Sequence, residues 1–209
     1  MSVGGQTKSY LEALKLAFDG YYLPFFKQFD SHQFRKERLW NEECDNTLKR
    51  FSKVLTALYS KYSGKYALPG ATKYMSLDEF NDMITHAGVV DDTFGAREIS
   101  PLFNLSMMTQ KNELDFDRHY NMIHVEMIEA ISRVADKLHP SKLQDFFPEM
   151  ASFNRFNLDK KIESLLVLLM RNSLPKPQGE SLEKGLKKIY DEELADPIKR
   201  KFWAQAKKY

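Results

Sequence analysis

The sequence predicts an all-α fold, and three observations carry that prediction. Apolar residues at Trp40, Cys44, Leu48, Phe51, Leu55, Leu58 and Tyr62 follow one another at steps of 4, 4, 3, 4, 3 and 4 residues, the spacing of one helix face. The segment Leu158–Ser173 is apolar on nearly every side, through Ile162, Leu165, Leu166, Val167, Leu168 and Leu169, which predicts a helix buried at the centre of the fold. No alternating polar and apolar run is long enough for a strand, so at most a short pairing between loops is expected.

Taken in order, a first helix is expected through Tyr10, Leu11, Leu14, Ala17 and Phe18, ending between Gly20 and Pro24. The aromatic-rich stretch 21–29 follows, and Asp30 and Ser31 offer a helix start. The stripe that begins at Trp40 closes at Gly64, and Leu68-Pro69-Gly70 marks a loop. A short helix is expected from Leu77 to Ala87, stopped by Gly88. Another covers Phe94 to Met108, where Pro101 marks a kink or a first turn. Beyond a polar stretch lies a strong helix from Ile123 to Leu138, ended by Pro140. Residues 143–156 are aromatic and irregular. Leu174 to Gly179, with Pro175 and Pro177, reads as the clearest linker, and two short helices, Ser181 to Leu194 and Pro197 to Lys208, complete the pattern. The organisation expected is a central segment 48–139 flanked by an N-terminal arm, 1–47, and a C-terminal extension, 140–209.

Composition narrows the function classes. The chain has 209 residues, 43% hydrophobic and 29% charged, with 9 Gly and 8 Pro, which excludes collagen-like, disordered and disulfide-scaffold proteins. A net charge of +2 lacks the strong global field of a dedicated nucleic-acid binder, so no nucleic-acid partner is expected. Residues Met1 to Gln6 show no secretory pattern, and Ser2 stands where N-myristoylation needs glycine. The longest strictly apolar run, Leu165 to Met170, has six residues, so no transmembrane segment is expected. Cys44 is the single cysteine; it suits a cytoplasmic setting and sits on a helix face, where core packing is its expected role.

An internal repeat organises the centre. Tyr74-Met75-Ser76-Leu77-Asp78-Glu79-Phe80 with Ile84 matches Asn121-Met122-Ile123-His124-Val125-Glu126-Met127 with Ile131 at an offset of 47 residues. Each copy follows a helix and a long polar loop: an apolar loop residue, a glutamate four positions later, then a helix. This pattern resembles the EF-hand superfamily, in which the apolar residue joins paired loops by a short β-bridge and the glutamate closes the ion site. Together with Gly95-Ala96-Arg97-Glu98-Ile99 and Phe103 to Gln110, it is similar to calmodulin-like segments of ciliated and flagellated protists. More loosely it resembles the tubulin polymerization-promoting protein family. The resemblance covers about residues 48–138 and implies an EF-hand-like pair.

With Met122 at loop position 8, Asp115, Asp117, His119, Asn121 and Glu126 fall at positions 1, 3, 5, 7 and 12. Asp115, Asp117, Asn121 and Glu126 are the candidate Ca²⁺ ligands, the first two and the last through carboxylates and Asn121 through its carbonyl. Tyr120 at position 6, where glycine makes the sharp turn, and His119 at 5 count against them. Alternatively the incoming helix ends near Phe103 and the loop from Asn104 to Glu126 is 23 residues long. The first loop offers Leu68, Gly70 and Thr72 at positions 1, 3 and 5, which predicts a purely structural hand in which Glu79 caps the helix it starts.

No nucleotide-binding, hydrolase or zinc motif occurs, and none of the five histidines has a ligand spacing, so a non-catalytic protein is expected. Residues 197–209 carry five cations and no acid. Lys199, Arg200, Lys201, Phe202, Trp203, Lys207 and Lys208 form a candidate partner-binding element for an acidic surface, groove or membrane face. The aromatic pairs Phe25 with Phe26, Phe146 with Phe147, and Phe153 with Phe156 need cover, and one arm filling the pair's own groove would supply it. The resemblance implies an adaptor in a cytoskeletal assembly, with tubulin or axonemal proteins of a cilium as partners. The alternatives are a Ca²⁺-responsive sensor that binds a partner helix and an accessory subunit of another large assembly, including a membrane complex.

Overall fold

The computed structural model describes residues 9–23, 31–107, 118–143 and 157–195. Among these the chain is helical, with two isolated antiparallel bridges, Met75 with Met122 and Asp91 with Phe94, as its only β-pairings. It divides into two units, Met1–Arg38 and Leu39–Tyr209. In the first, α1 (Tyr10–Ala17) starts at a reciprocal cap in which Ser9 Oγ accepts from the Glu12 N–H at 3.3 Å and Glu12 Oε2 accepts from the Ser9 N–H at 3.0 Å. It runs into a π-helical turn, Phe18–Tyr22, and buries no residue. A one-turn helix, α2 (Ser31–Phe34), follows later in the chain.

The second unit begins with α3 (Glu42–Arg50), whose Cys44 N–H donates to Asn41 Oδ1 at 2.9 Å. Acids fill its first turn and Lys49 and Arg50 its last, matching the helix dipole. Helix α4 (Ser52–Tyr62) follows after a break at Phe51, which has φ −90° and ψ 11°. The expected single stripe is thus two helices, α3 and α4, separated at Phe51. Cys44, Phe51, Leu55, Leu58 and Tyr62 are buried, whereas Trp40 is 70% exposed. Trp40 precedes the Asn41 cap, so the helical spacing that placed it on the face does not reach it. Thr47 is buried in place of Leu48.

Helices α5 (Leu77–His86), α6 (Ala96–Ser106) and α7 (His124–Lys137) lie close to their expected spans. Gly88, just past α5, has φ +78°, the left-handed conformation that ends a helix and that a Cβ disfavours. Pro101 lies in the second turn of α6, so the N–H that would have bonded back one turn is missing.

Helix α8 (Leu158–Ser173) keeps its expected bounds and lies at the centre of this unit, packed against α3, α4, α5 and α7 and against α9 (Lys176–Ala195). Leu158, Ile162, Leu165, Leu166, Leu169 and Met170 are all buried. Its polar groups close the ends of its neighbours. Lys161 Nζ donates to the Asp136 and Leu138 carbonyls at 2.8 and 3.2 Å, satisfying the end of α7, and Asn172 Nδ2 donates to the Ala87 carbonyl at 3.0 Å past α5. The core therefore extends well beyond the expected central segment 48–139, taking in α3 and α8. The first unit likewise ends at Arg38, nine residues short of the expected 47.

The proline-rich stretch 174–179 is a connection of two residues followed by the first turn of α9. Pro177 is tolerated there because first-turn N–H groups have no intrahelical acceptor. The first of the two short helices expected, Ser181 to Leu194, lies within α9, which starts five residues earlier at Lys176; the second, Pro197 to Lys208, lies outside the described residues. So does most of the irregular stretch 143–156. At Gly179 an added Cβ would come within 3.1 Å of the Met170 carbonyl, so glycine permits the close approach of α9 to α8; at Gly185 it would meet nothing within 4 Å. Gly179→Ala is expected to lower stability in urea denaturation, while Gly185→Ala raises it by about 0.5–1 kcal/mol through reduced chain entropy.

Candidate functional site

The two loops between α4 and α5 and between α6 and α7 meet at one bridge. The Met75 N–H donates to the Met122 carbonyl at 3.0 Å and the Met122 N–H to the Met75 carbonyl at 2.9 Å. Both methionine side chains are fully buried, so each loop pins its apolar residue in the core and aligns the glutamate four positions on. The Tyr59 hydroxyl, from α4, donates to the Met122 carbonyl at 3.1 Å. Burial raises the Tyr59 pKa above the usual phenol value, and Tyr74, Glu126 and Glu79 add to the rise.

In the first loop the Glu79 carboxylate is buried and turned back on its own helix start. Its Oε2 accepts from the Ser76 N–H at 2.8 Å and its Oε1 from the Tyr66 N–H at 3.0 Å, while the Glu79 N–H donates to Ser76 Oγ at 3.3 Å. This is the reciprocal cap expected from the sequence. Lys65 Nζ and the Tyr66 hydroxyl reach Asp82 Oδ2 at 2.8 and 3.0 Å, and these partners hold the Asp82 carboxyl below its ordinary value.

In the second loop Glu126, whose side chain is fully buried, faces a cation from its own chain. Arg118 Nη2 donates to Glu126 Oε1 at 2.7 Å and Nη1 to Oε2 at 3.2 Å. Arg118 Nη1 also donates to the Asn121 carbonyl at 2.8 Å, and Glu126 Oε2 accepts from the Ile123 N–H at 2.9 Å. A calcium ion needs six to eight oxygens whose lone pairs point at it. Here both Glu126 oxygens and the Asn121 carbonyl accept from the guanidinium of Arg118, a cation that repels a second one held on the same oxygens. No group of three or more His, Cys, Asp or Glu side chains converges among the described residues. Of the four candidate ligands, the structure brings Asn121 and Glu126 together on Arg118; Asp115 and Asp117 lie outside the described residues.

Sequence reasoning passed over Arg118. The available signal was a guanidinium within the loop, three residues after Asp115 and eight before the terminal glutamate. The candidate partner-binding residues Lys199, Arg200, Lys201, Phe202, Trp203, Lys207 and Lys208 lie outside the described residues. Of the histidines, His86 Nδ1 shares a 2.9 Å hydrogen bond with the Tyr62 hydroxyl, and the His124 ring meets Tyr59 edge-on with centroids 5.3 Å apart. Cys44 is buried in the core as expected. Between α5 and α6, Asp91 Oδ1 accepts from the Thr93 and Phe94 N–H groups at 2.7 and 3.0 Å, and its Oδ2 pairs with Lys142 at 2.5 Å. Lys142 and Thr93 hold the Asp91 carboxyl well below the usual range.

Comparison with protein-family models, with curated proteins and with solved structures finds no match to this chain. No helix among the described residues is long and apolar enough to cross a membrane.

Proposed function

We propose that this chain is a non-catalytic structural adaptor, built on an EF-hand-like pair that needs no calcium, within a large cytoskeletal assembly. The observation that carries this reading is that both loop-terminal glutamates, Glu79 and Glu126, are buried and already bonded to donors of the chain itself. Helix α8, packed against α4, α5 and α7, supports it further, since a hand pair exposes an apolar groove only when no helix covers it. A pair complete in itself is a rigid platform, and docking then falls to segments outside it. The cationic residues 197–209 suit an acidic partner. Placement at microtubules or the ciliary axoneme, in the cytoplasm, rests on the resemblance of residues 48–138 to calmodulin-like protist segments.

Cosedimentation with polymerised tubulin tests the docking. The intact chain is expected to pellet at low salt and to be released as salt rises, because surface charge attraction is screened. A chain ending at Asp196 stays in the supernatant. If the intact chain fails to pellet at low salt, direct microtubule docking is wrong. The competing reading, a calcium sensor, requires Arg118 to leave Glu126.

A further inference from the structure

The short turn Arg118–Tyr120 brings one guanidinium against two groups of distinct origin, a carboxylate and a backbone carbonyl. It forks onto both Glu126 oxygens at 2.7 and 3.2 Å and reaches the Asn121 carbonyl at 2.8 Å. Counted from Met122 at position 8, these are the position-12 carboxylate and the position-7 carbonyl, two of the positions from which a loop of this design ligates a divalent ion. The Arg118 side chain is 21% exposed and that of Glu126 fully buried, so the charges meet where water screens them little. The geometry points to Arg118 as the resident cation of the second loop, a tethered positive charge in the place of a metal ion. This inference rests on reading α4 to α7 as a hand pair.

The chemistry favours arginine in that role. Its planar fork matches a carboxylate edge and still has a donor for a carbonyl, and it stays protonated at any physiological pH. Being covalently attached, it holds the loop closed at every calcium concentration. The effect reaches the first loop as well: Asn121 adjoins Met122, which is bridged to Met75 and held by Tyr59. Fixing the Asn121 carbonyl therefore fixes the register between the two loops.

The test is to remove the tether and supply the cation from solution, using the full chain. Thermal melting of Arg118→Ala is recorded with millimolar guanidinium chloride, with millimolar CaCl₂, and with NaCl at matched ionic strength. Guanidinium or calcium is expected to raise the variant's Tm by at least about 3 °C over NaCl. Neither moves the wild type, and Glu126→Gln added to Arg118→Ala abolishes the rescue. Arg118→Lys, which keeps the charge without the fork, melts below wild type and ignores calcium. Calorimetric calcium binding by the wild type overturns the inference. So does an Arg118→Ala chain that neither cation stabilises, folded or unfolded, because Arg118 is then only a packing strut. A failure to pellet with microtubules leaves these results untouched.

Discussion

Leu166→Ala is expected to lower the unfolding free energy of the second unit by about 2–5 kcal/mol, the range for emptying a fully packed leucine site. Leu166 has no exposed surface, and its helix packs against α3, α4, α5, α7 and α9. Against a typical total of about 5–15 kcal/mol such a loss removes a large share of stability. Urea denaturation of the full chain measures it, and an unchanged slope with a lower midpoint would show that stability alone has changed. Leu168, half-buried on the same helix, is the internal control, and Leu168→Ala should cost less because fewer contacts and less transfer energy are lost. A Leu166→Ala cost below about 1 kcal/mol would mean that the site collapses freely. In that case α8 is an appendage to the loop pair and does not form its core.

The role of α8 was half legible. Apolar residues on nearly every side predicted burial and bounded the helix from Leu158 to Ser173, but periodicity within one helix does not say which neighbours cover it. That is why the segment was expected to belong to an extension. The bridge was legible because the repeat places Met75 and Met122 in equivalent positions, and the Glu79 cap because Ser76 stands three residues before it. The break at Phe51 was not. No glycine or proline marks it, and a 3–4 spacing continues unbroken across it. The helix start at Lys176 was hidden for the opposite reason, since Pro175 and Pro177 read as linker although prolines fit a first turn. Arg118 was missed because its partners lie three and eight residues away across a loop, a contact set by the fold with no periodic signature. Between the two loops, therefore, sequence reasoning recovered what is local and repeated, and lost what is particular to one copy.

That difference between the copies predicts unequal effects of the same substitution. Glu126→Gln keeps the size of the side chain but removes the charge facing Arg118, and losing one partner of a buried ion pair costs about 3–5 kcal/mol. Glu79 accepts from two backbone N–H groups, of Tyr66 and Ser76. In Glu79→Gln the amide oxygen can still take one of them while the NH₂ group turns a donor toward the other, a loss of about 1–3 kcal/mol. Urea denaturation should therefore place Glu126→Gln well below Glu79→Gln, and the order should be the same in calcium and in chelator. The exposed pair Lys65 with Asp82, at 46% and 35% side-chain exposure, is the comparison for a pair that water screens, where removing one partner costs little. If Glu126→Gln costs no more than that, Arg118 and Glu126 do not form a tight buried pair in solution. If its cost appears only with calcium present, an ion and not Arg118 holds the loop. A full cost with the metal chelated leaves the guanidinium as the group that Glu126 was buried to meet.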